Sequence, residues 1–138
     1  MNTGQESVAT GGCLCGAVRY EVRGEVRPVI NCHCGQCRRF GGHFGAYTHV
    51  DDDQFTLADE RGLKWYQSSR EALRGFCAEC GSSLFWNAPE RSGISIAAGS
   101  LDQPSGLDTA EHIFVADKAD YYAITDGLPQ SPGWMKHD

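Results

Sequence analysis

The sequence predicts a mainly β domain of short antiparallel strands with only short helical turns. Three observations carry that expectation. Apolar and polar residues alternate over brief stretches that are separated by turn formers. Glycine supplies 17 of 138 residues, about 12% against a usual figure of roughly 7%, which implies many tight turns. Seven cysteines fall into three tight clusters, Cys13-x-Cys15, Cys32-x-Cys34-x-x-Cys37 and Cys77-x-x-Cys80, a spacing suited to building a small fold around metal.

Along the chain, residues 1–8 read as a flexible polar tail. From Gly16 the pattern alternates, with Val18, Tyr20 and Val22 on one side and Arg19 and Glu21 on the other, as in a half-buried strand. Pro28 to Asn31 is short and apolar. Cys34 to Phe40 reads as a turn leading into a helical stretch that Gly41 and Gly42 stop. Phe44 to Val50 is a strand, and Asp51 to Asp53 a solvated turn, because the remainder of a calcium loop is missing. Phe55–Leu57, Leu63–Tyr66, Leu73–Phe76, Ser83–Trp86, Ile94–Ala97 and His112–Val115 are further strands. Asp117 to Tyr122 reads as a helical turn, and residues 130–138 as a C-terminal tail. Trp65, Tyr66, Phe85 and Trp86 are expected in the core.

The cysteines set the chemistry. Thiols this close in sequence are poorly placed to bridge one another and well placed to hold a metal. Zinc sits about 2.3 Å from each thiolate, so its sulfur ligands lie roughly 4 Å apart. A C-x-x-C turn reaches that separation readily. A C-x-C pair needs a bend, which Gly12 and Gly16 could permit. Spacing leaves two partitions. One joins Cys34/Cys37 with Cys77/Cys80 and leaves three cysteines over. The other joins Cys13/Cys15 with Cys77/Cys80 in a closed site and leaves Cys32, Cys34 and Cys37 as a three-thiolate cluster. Four protein ligands make a zinc structural, whereas three leave a position for water or substrate.

The strings Gly12-Cys-Leu-Cys-Gly-Ala-Val-Arg-Tyr20, Cys32-His-Cys-Gly-Gln-Cys-Arg-Arg39, Phe76-Cys-Ala-Glu-Cys-Gly-Ser82 and Ala98-Gly-Ser-Leu-Asp102 occur in that order. His112-Ile-Phe-Val and Asp126-Gly-Leu-Pro follow as echoes. The chain resembles the glutathione-dependent formaldehyde-activating enzyme family, also called the centromere protein V family. The resemblance implies a zinc-built β-tent over residues 9–129 with two zinc ions. It assigns Cys13, Cys15, Cys77 and Cys80 to a structural zinc, and Cys32, Cys34 and Cys37 to an open, catalytic one. It also implies a carbon–sulfur lyase that forms or cleaves thiol–aldehyde adducts such as S-hydroxymethylglutathione, with glutathione or a similar thiol and formaldehyde or another aldehyde as partners.

Three thiolates on a divalent zinc leave the site near −1, which suits binding a soft thiol better than activating water. Coordination would hold that thiol as thiolate. A plainer alternative keeps both metals structural, in a non-catalytic zinc-stabilised binding module. Arg38 and Arg39 follow the second cluster and could steer a substrate carboxylate, or simply offset thiolate charge. His33, between two ligand cysteines, is expected to point away from the metal. His43, His49 and His112 read as surface or packing residues, and His137 lies in the tail.

Net charge is −6, which argues against a nucleic-acid surface. No basic start with an apolar segment opens the chain and no apolar run nears 18 residues, so neither a signal peptide nor a membrane span is expected. A reducing cytoplasm is the expected setting, where clustered cysteines serve metal or redox chemistry rather than disulfides.

Overall fold

The computed structural model of the protein describes residues 7–135. His137 and residues 1–6 of the expected tail lie outside them. The chain divides into two compact units. One takes the described residues up to Arg27 together with Thr48–Gly106. The other takes Pro28–Tyr47 together with the described residues from Leu107 onward. Each unit is therefore discontinuous in sequence.

The first unit holds two groups of strands. β1 (Val8–Gly12) pairs antiparallel with β2 (Arg19–Arg23), and β2 with β5 (Phe55–Asp59). β6 (Leu63–Gln67), β7 (Leu73–Cys77), β8 (Ser83–Asn87) and β9 (Ile94–Ala97) form an antiparallel meander. The alternation read in β2 has a direct outcome. Val18, Tyr20 and Val22 are fully buried, while Arg19 and Glu21 are not. Phe85 is the hub of this core, in edge contact with Tyr20 (centroids 5.5 Å) and Phe55 (5.4 Å) and stacked on Trp65 (5.9 Å). Burying one such large side chain contributes roughly 1.5–3 kcal/mol. The Tyr20 hydroxyl hydrogen-bonds Ser100 at 2.6 Å, and Ser100 in turn donates to the Ala97 carbonyl at 2.7 Å. Burial pushes the phenol up to about 12, so it stays a neutral donor.

The string Ala98–Asp102 clamps the first two strands. The Asp102 carboxylate accepts from Arg19 at 2.6 Å and Thr10 at 2.5 Å, and its backbone N–H donates to the Thr10 carbonyl. This clamp accounts for β1, which the sequence reading placed partly in a tail and did not read as a strand. Val-Ala-Thr-Gly-Gly has no apolar alternation; its strand conformation comes from full pairing with β2 and this clamp.

The second unit contains β10 (Thr109–Ile113), β3 (Val29–Cys32), the start of β4 (Gly45–Val50) and α1 (Gly35–Gly41). β3 pairs antiparallel with β4 but parallel with β10, an exception to the antiparallel expectation. α1 begins at Cys34, whose extended backbone makes it the N-cap, and ends at Gly42 in the left-handed region.

Three expectations need correction. Tyr66 is 62% exposed and Trp65 is 37% exposed, although both were expected in the core. β6 pairs through one edge to β7 and presents an outward row of residues to solvent. The strand expected over His112–Val115 stops at Ile113, because Phe114 adopts φ 54 and leaves the β region. A 3-10 turn, Val115–Asp117, follows, earlier than the helical turn expected over Asp117–Tyr122. No helix among the described residues is long and apolar enough to cross a membrane.

Candidate functional site

The seven cysteines resolve into two groups, one in each unit. Cys13, Cys15, Cys77 and Cys80 bring four sulfurs within 4.8 Å of one another, and Cys32, Cys34 and Cys37 bring three. The partition that mixes Cys34/Cys37 with Cys77/Cys80 is not the one the chain adopts.

The first group sits on two tight turns. The β1–β2 turn carries Cys13 and Cys15, and the β7–β8 turn carries Cys77 and Cys80. Gly16 at φ 86 and Gly81 at φ 81 make the sharp bends that side-chain-bearing residues resist. The turns are tied together by backbone and hydroxyl bonds. Leu14 N–H donates to Ser82 Oγ at 3.0 Å, and Cys77 N–H to the Ser82 carbonyl at 3.0 Å. Gly62 N–H donates to the Ala17 carbonyl, and Ala78 N–H to the Gly62 carbonyl. The sulfurs of Cys13 and Cys15 are 3.8 Å apart, as are those of Cys15 and Cys77. A disulfide needs about 2.05 Å. A tetrahedron with zinc–sulfur bonds of about 2.3 Å has an edge of about 3.8 Å, so the donor set fits zinc. Donors also aim at the sulfurs. Val18 N–H points at Cys13 Sγ from 3.2 Å, and the Ser82 hydroxyl meets Cys80 Sγ at 3.2 Å. The hydroxyl and backbone N–H of Ser82 hold the Cys80 thiol down at about 5.

The second group is assembled by one short segment. β3 ends at Cys32, Cys34 caps α1, and Cys37 lies buried in the first helical turn. Cys34 Sγ accepts the Cys37 N–H at 3.3 Å. Cys32 and Cys37 pull the Cys34 thiol far below its ordinary value. Cys34, then Cys37 and burial, push Cys32 far above it. Three crowded thiols thus resist full ionisation without a cation, and a soft divalent ion is the natural counter-charge. Among the described residues no fourth Cys, His, Asp or Glu ligand atom joins this trio. Both groups could hold a metal ion.

Residues 8–117 match the family model of the glutathione-dependent formaldehyde-activating enzyme. The chain belongs to this family. A Halomonas elongata protein whose name assigns it provisionally to glutathione-dependent formaldehyde activation is 33% identical over 129 residues, covering 83% of this chain and 79% of its own length. An uncharacterised lyase of Schizosaccharomyces pombe is 30% identical over 77 residues, 55% of each chain. The crystal structure of a Rhodobacter sphaeroides protein shares the fold, with a TM-score of 0.57 and 24% identity over 73% of this chain and 99% of that one.

Sequence reasoning missed a chain of side chains beside the trio in this formaldehyde-activating family member. The His33 ring, 1% exposed, faces Tyr122 and His112. Its Nδ1 lies 2.5 Å from Tyr122 Oη, and its Nε2 lies 2.9 Å from His112 Nδ1. His112 Nε2 lies 2.8 Å from Asp126 Oδ2. Burial, then the neighbouring His112 and His43, lowers His33 to about 4, so its ring is neutral near pH 7. The Leu128 N–H, then His112, holds Asp126 below the ordinary carboxylate range. His112, expected at the surface or as packing, is buried with all its ring nitrogens engaged. These partners lie up to 89 residues apart, a separation that spacing does not reveal. The one signal was the two echoes that carry His112 and Asp126.

The other expected residues play smaller parts. His43 bonds the Tyr121 hydroxyl and is exposed. His49 holds Ser95 and the Ser92 carbonyl, both at 3.0 Å. Arg38 is half-buried, and its Nε finds no hydrogen-bond partner among the described residues. Its charge reaches Tyr122. Arg39 is exposed.

Proposed function

We propose that the protein is a carbon–sulfur lyase that forms or cleaves thiol–aldehyde adducts of the S-hydroxymethylglutathione type, acting at the trio Cys32, Cys34 and Cys37. The observation that carries this is the unequal donor count: four sulfurs gathered in one unit, three in the other with no fourth donor among the described residues. The names of the family and of the Halomonas relative support glutathione and formaldehyde as the thiol and aldehyde.

In this reading Cys13, Cys15, Cys77 and Cys80 hold a structural zinc, and Cys32, Cys34 and Cys37 hold a second. A zinc held by the trio would supply a soft Lewis acid that keeps an incoming thiol deprotonated at neutral pH. In the adduct-forming direction a carbon–sulfur bond forms from the sulfur lone pair, the carbonyl pair moves to oxygen, and that oxygen takes one proton. Cleavage is the reverse. The half-buried Arg38 guanidinium, next to Cys37 in the chain, offers a carboxylate of the thiol substrate an anchor. The reactive domain spans 9–129 and contains every residue assigned a role.

The test is exchange spectroscopy on glutathione–formaldehyde mixtures with zinc-loaded protein, which reads adduct formation and breakdown at equilibrium. Accelerated exchange is expected, together with a new sulfur ligand at one metal by edge absorption. Unchanged exchange across several thiols and aldehydes, with both metals retained, overturns the lyase and leaves a binding module with two structural metals.

A further inference from the structure

The outer edge of β6 is open. Among the described residues β6 pairs only with β7, and Lys64, Trp65, Tyr66 and Gln67 are all exposed. The direction of its free backbone groups follows from the bonds at its two ends. Ala78 N–H donates to the Gly62 carbonyl at 2.7 Å, and Ser68 N–H to the Ala72 carbonyl at 3.1 Å. In an antiparallel pair, residues that bond the neighbouring strand alternate with residues whose N–H and C=O point away from it. Lys64 and Tyr66 therefore bond towards β7, and Leu63, Trp65 and Gln67 face outward. The Leu63 N–H is used within the turn, on the Glu60 carbonyl at 3.1 Å. The Leu63 carbonyl and both backbone groups of Trp65 and Gln67 remain open.

That pattern is self-complementary. A second copy turned about a two-fold axis at Trp65 lays its own β6 antiparallel to the first. Each Trp65 then exchanges both backbone bonds with the other Trp65, and each Gln67 N–H meets the Leu63 carbonyl of the second copy. The side chains favour this axis. It sets Lys64 opposite Tyr66 of the second copy, in both directions, so that an ammonium rests against each ring. An axis at Tyr66 would lose both of these contacts. Free charges at the two ends agree. Glu60, before β6, and Arg70, after it, are exposed and make no ion pair among the described residues. Antiparallel pairing brings each Glu60 towards Arg70 of the second copy. Asp59, at the Glu60 end, is already held by Arg61. Glu71, beside Arg70, offsets part of the attraction, so the charges set alignment more than strength.

We propose that β6 is a homodimer interface, in which two copies join their β6 edges antiparallel about Trp65 and make one continuous sheet of two meanders. The pairing covers the exposed parts of Trp65 and Tyr66, on opposite faces of that sheet. A lysine on an edge strand commonly discourages such pairing; here Lys64 has a ring to lie on. One edge of five residues is at the low end of interface size, so association is weak and depends on concentration. The inference is independent of the lyase reading.

The test is amide hydrogen exchange over a concentration series, with mass followed by sedimentation. In dilute protein the outward Trp65 and Gln67 amides are expected to exchange faster than those of Lys64 and Tyr66. As the mass doubles, the Trp65 and Gln67 amides are expected to slow in step with the dimer fraction. Glu60→Arg and Arg70→Glu are each expected to weaken dimerisation about tenfold, and the double exchange to restore it. Gln67→Pro removes an outward N–H that the monomer does not use, a position where an edge strand tolerates proline, and is expected to stay folded and monomeric. A wild type that remains monomeric up to about 1 mM overturns the proposal. So does a dimer whose Trp65 and Gln67 amides stay unprotected, or one that Gln67→Pro and both charge reversals leave unchanged.

Discussion

Two clusters of the same chemical group, a cysteine sulfur, are built in opposite ways. The four-sulfur cluster joins turns that are more than sixty residues apart, so its sulfurs staple distant strands. The three-sulfur cluster comes from six consecutive residues, Cys32 to Cys37. Loss of a metal held by the first would free a long loop; loss of one held by the second would free almost nothing, because β3 and α1 are held by their own hydrogen bonds. In the proposed reading, sequence separation between donors, rather than donor type, divides scaffold from reactive site. The surroundings follow the same division. Backbone N–H groups and the Ser82 hydroxyl surround the first cluster, whereas a row of ionisable side chains stands beside the second.

The largest way to break the contrast is Cys77→Ser. Its sulfur is fully buried, and metal-binding energy at such a site is folding energy, on the order of 10 kcal/mol for structural zinc. Circular dichroism is expected to show a domain unfolded at room temperature. A folded, melting Cys77→Ser protein would mean that the two clusters are not different in kind. Next is Cys34→Ser. It is expected to keep the fold and the far-ultraviolet spectrum, to lose one equivalent of metal by elemental analysis, and to lose detectable acceleration of adduct exchange. The smallest effect sharpens the contrast. A Cβ at Gly62 would lie 2.9 Å from Cys77 Sγ and 2.8 Å from the Ala17 side chain. Gly62→Ala is expected to lower stability by about 1–3 kcal/mol in denaturant titration, while adduct exchange at the trio remains.

Much of this was legible in the sequence because it is local. Val18, Tyr20 and Val22 announce their strand by alternation, Gly41 and Gly42 end the helix, and each cysteine pair lies within one turn. The strand Val8–Gly12 was hidden because it lacks apolar alternation and because Asp102, which clamps it, lies far along the chain. Tyr66 misled because an aromatic residue on a strand does not say whether that strand is an edge. His112 and Asp126 could be seen as residues but not as neighbours of His33. Contacts that span most of the chain leave no periodicity to read, and the parallel pairing of β3 with β10 was unreadable for the same reason.

The interleaving of the two units has a consequence for the chain as it is made. Synthesis runs from the N-terminus, so all four sulfurs of the stapling cluster exist once Cys80 is added. The trio is complete by Cys37, yet β10, which carries His112, emerges only about 75 residues later. At roughly 5–20 residues per second, the newborn protein carries three unaccompanied thiols for about 4–15 seconds before the strand that flanks them is translated.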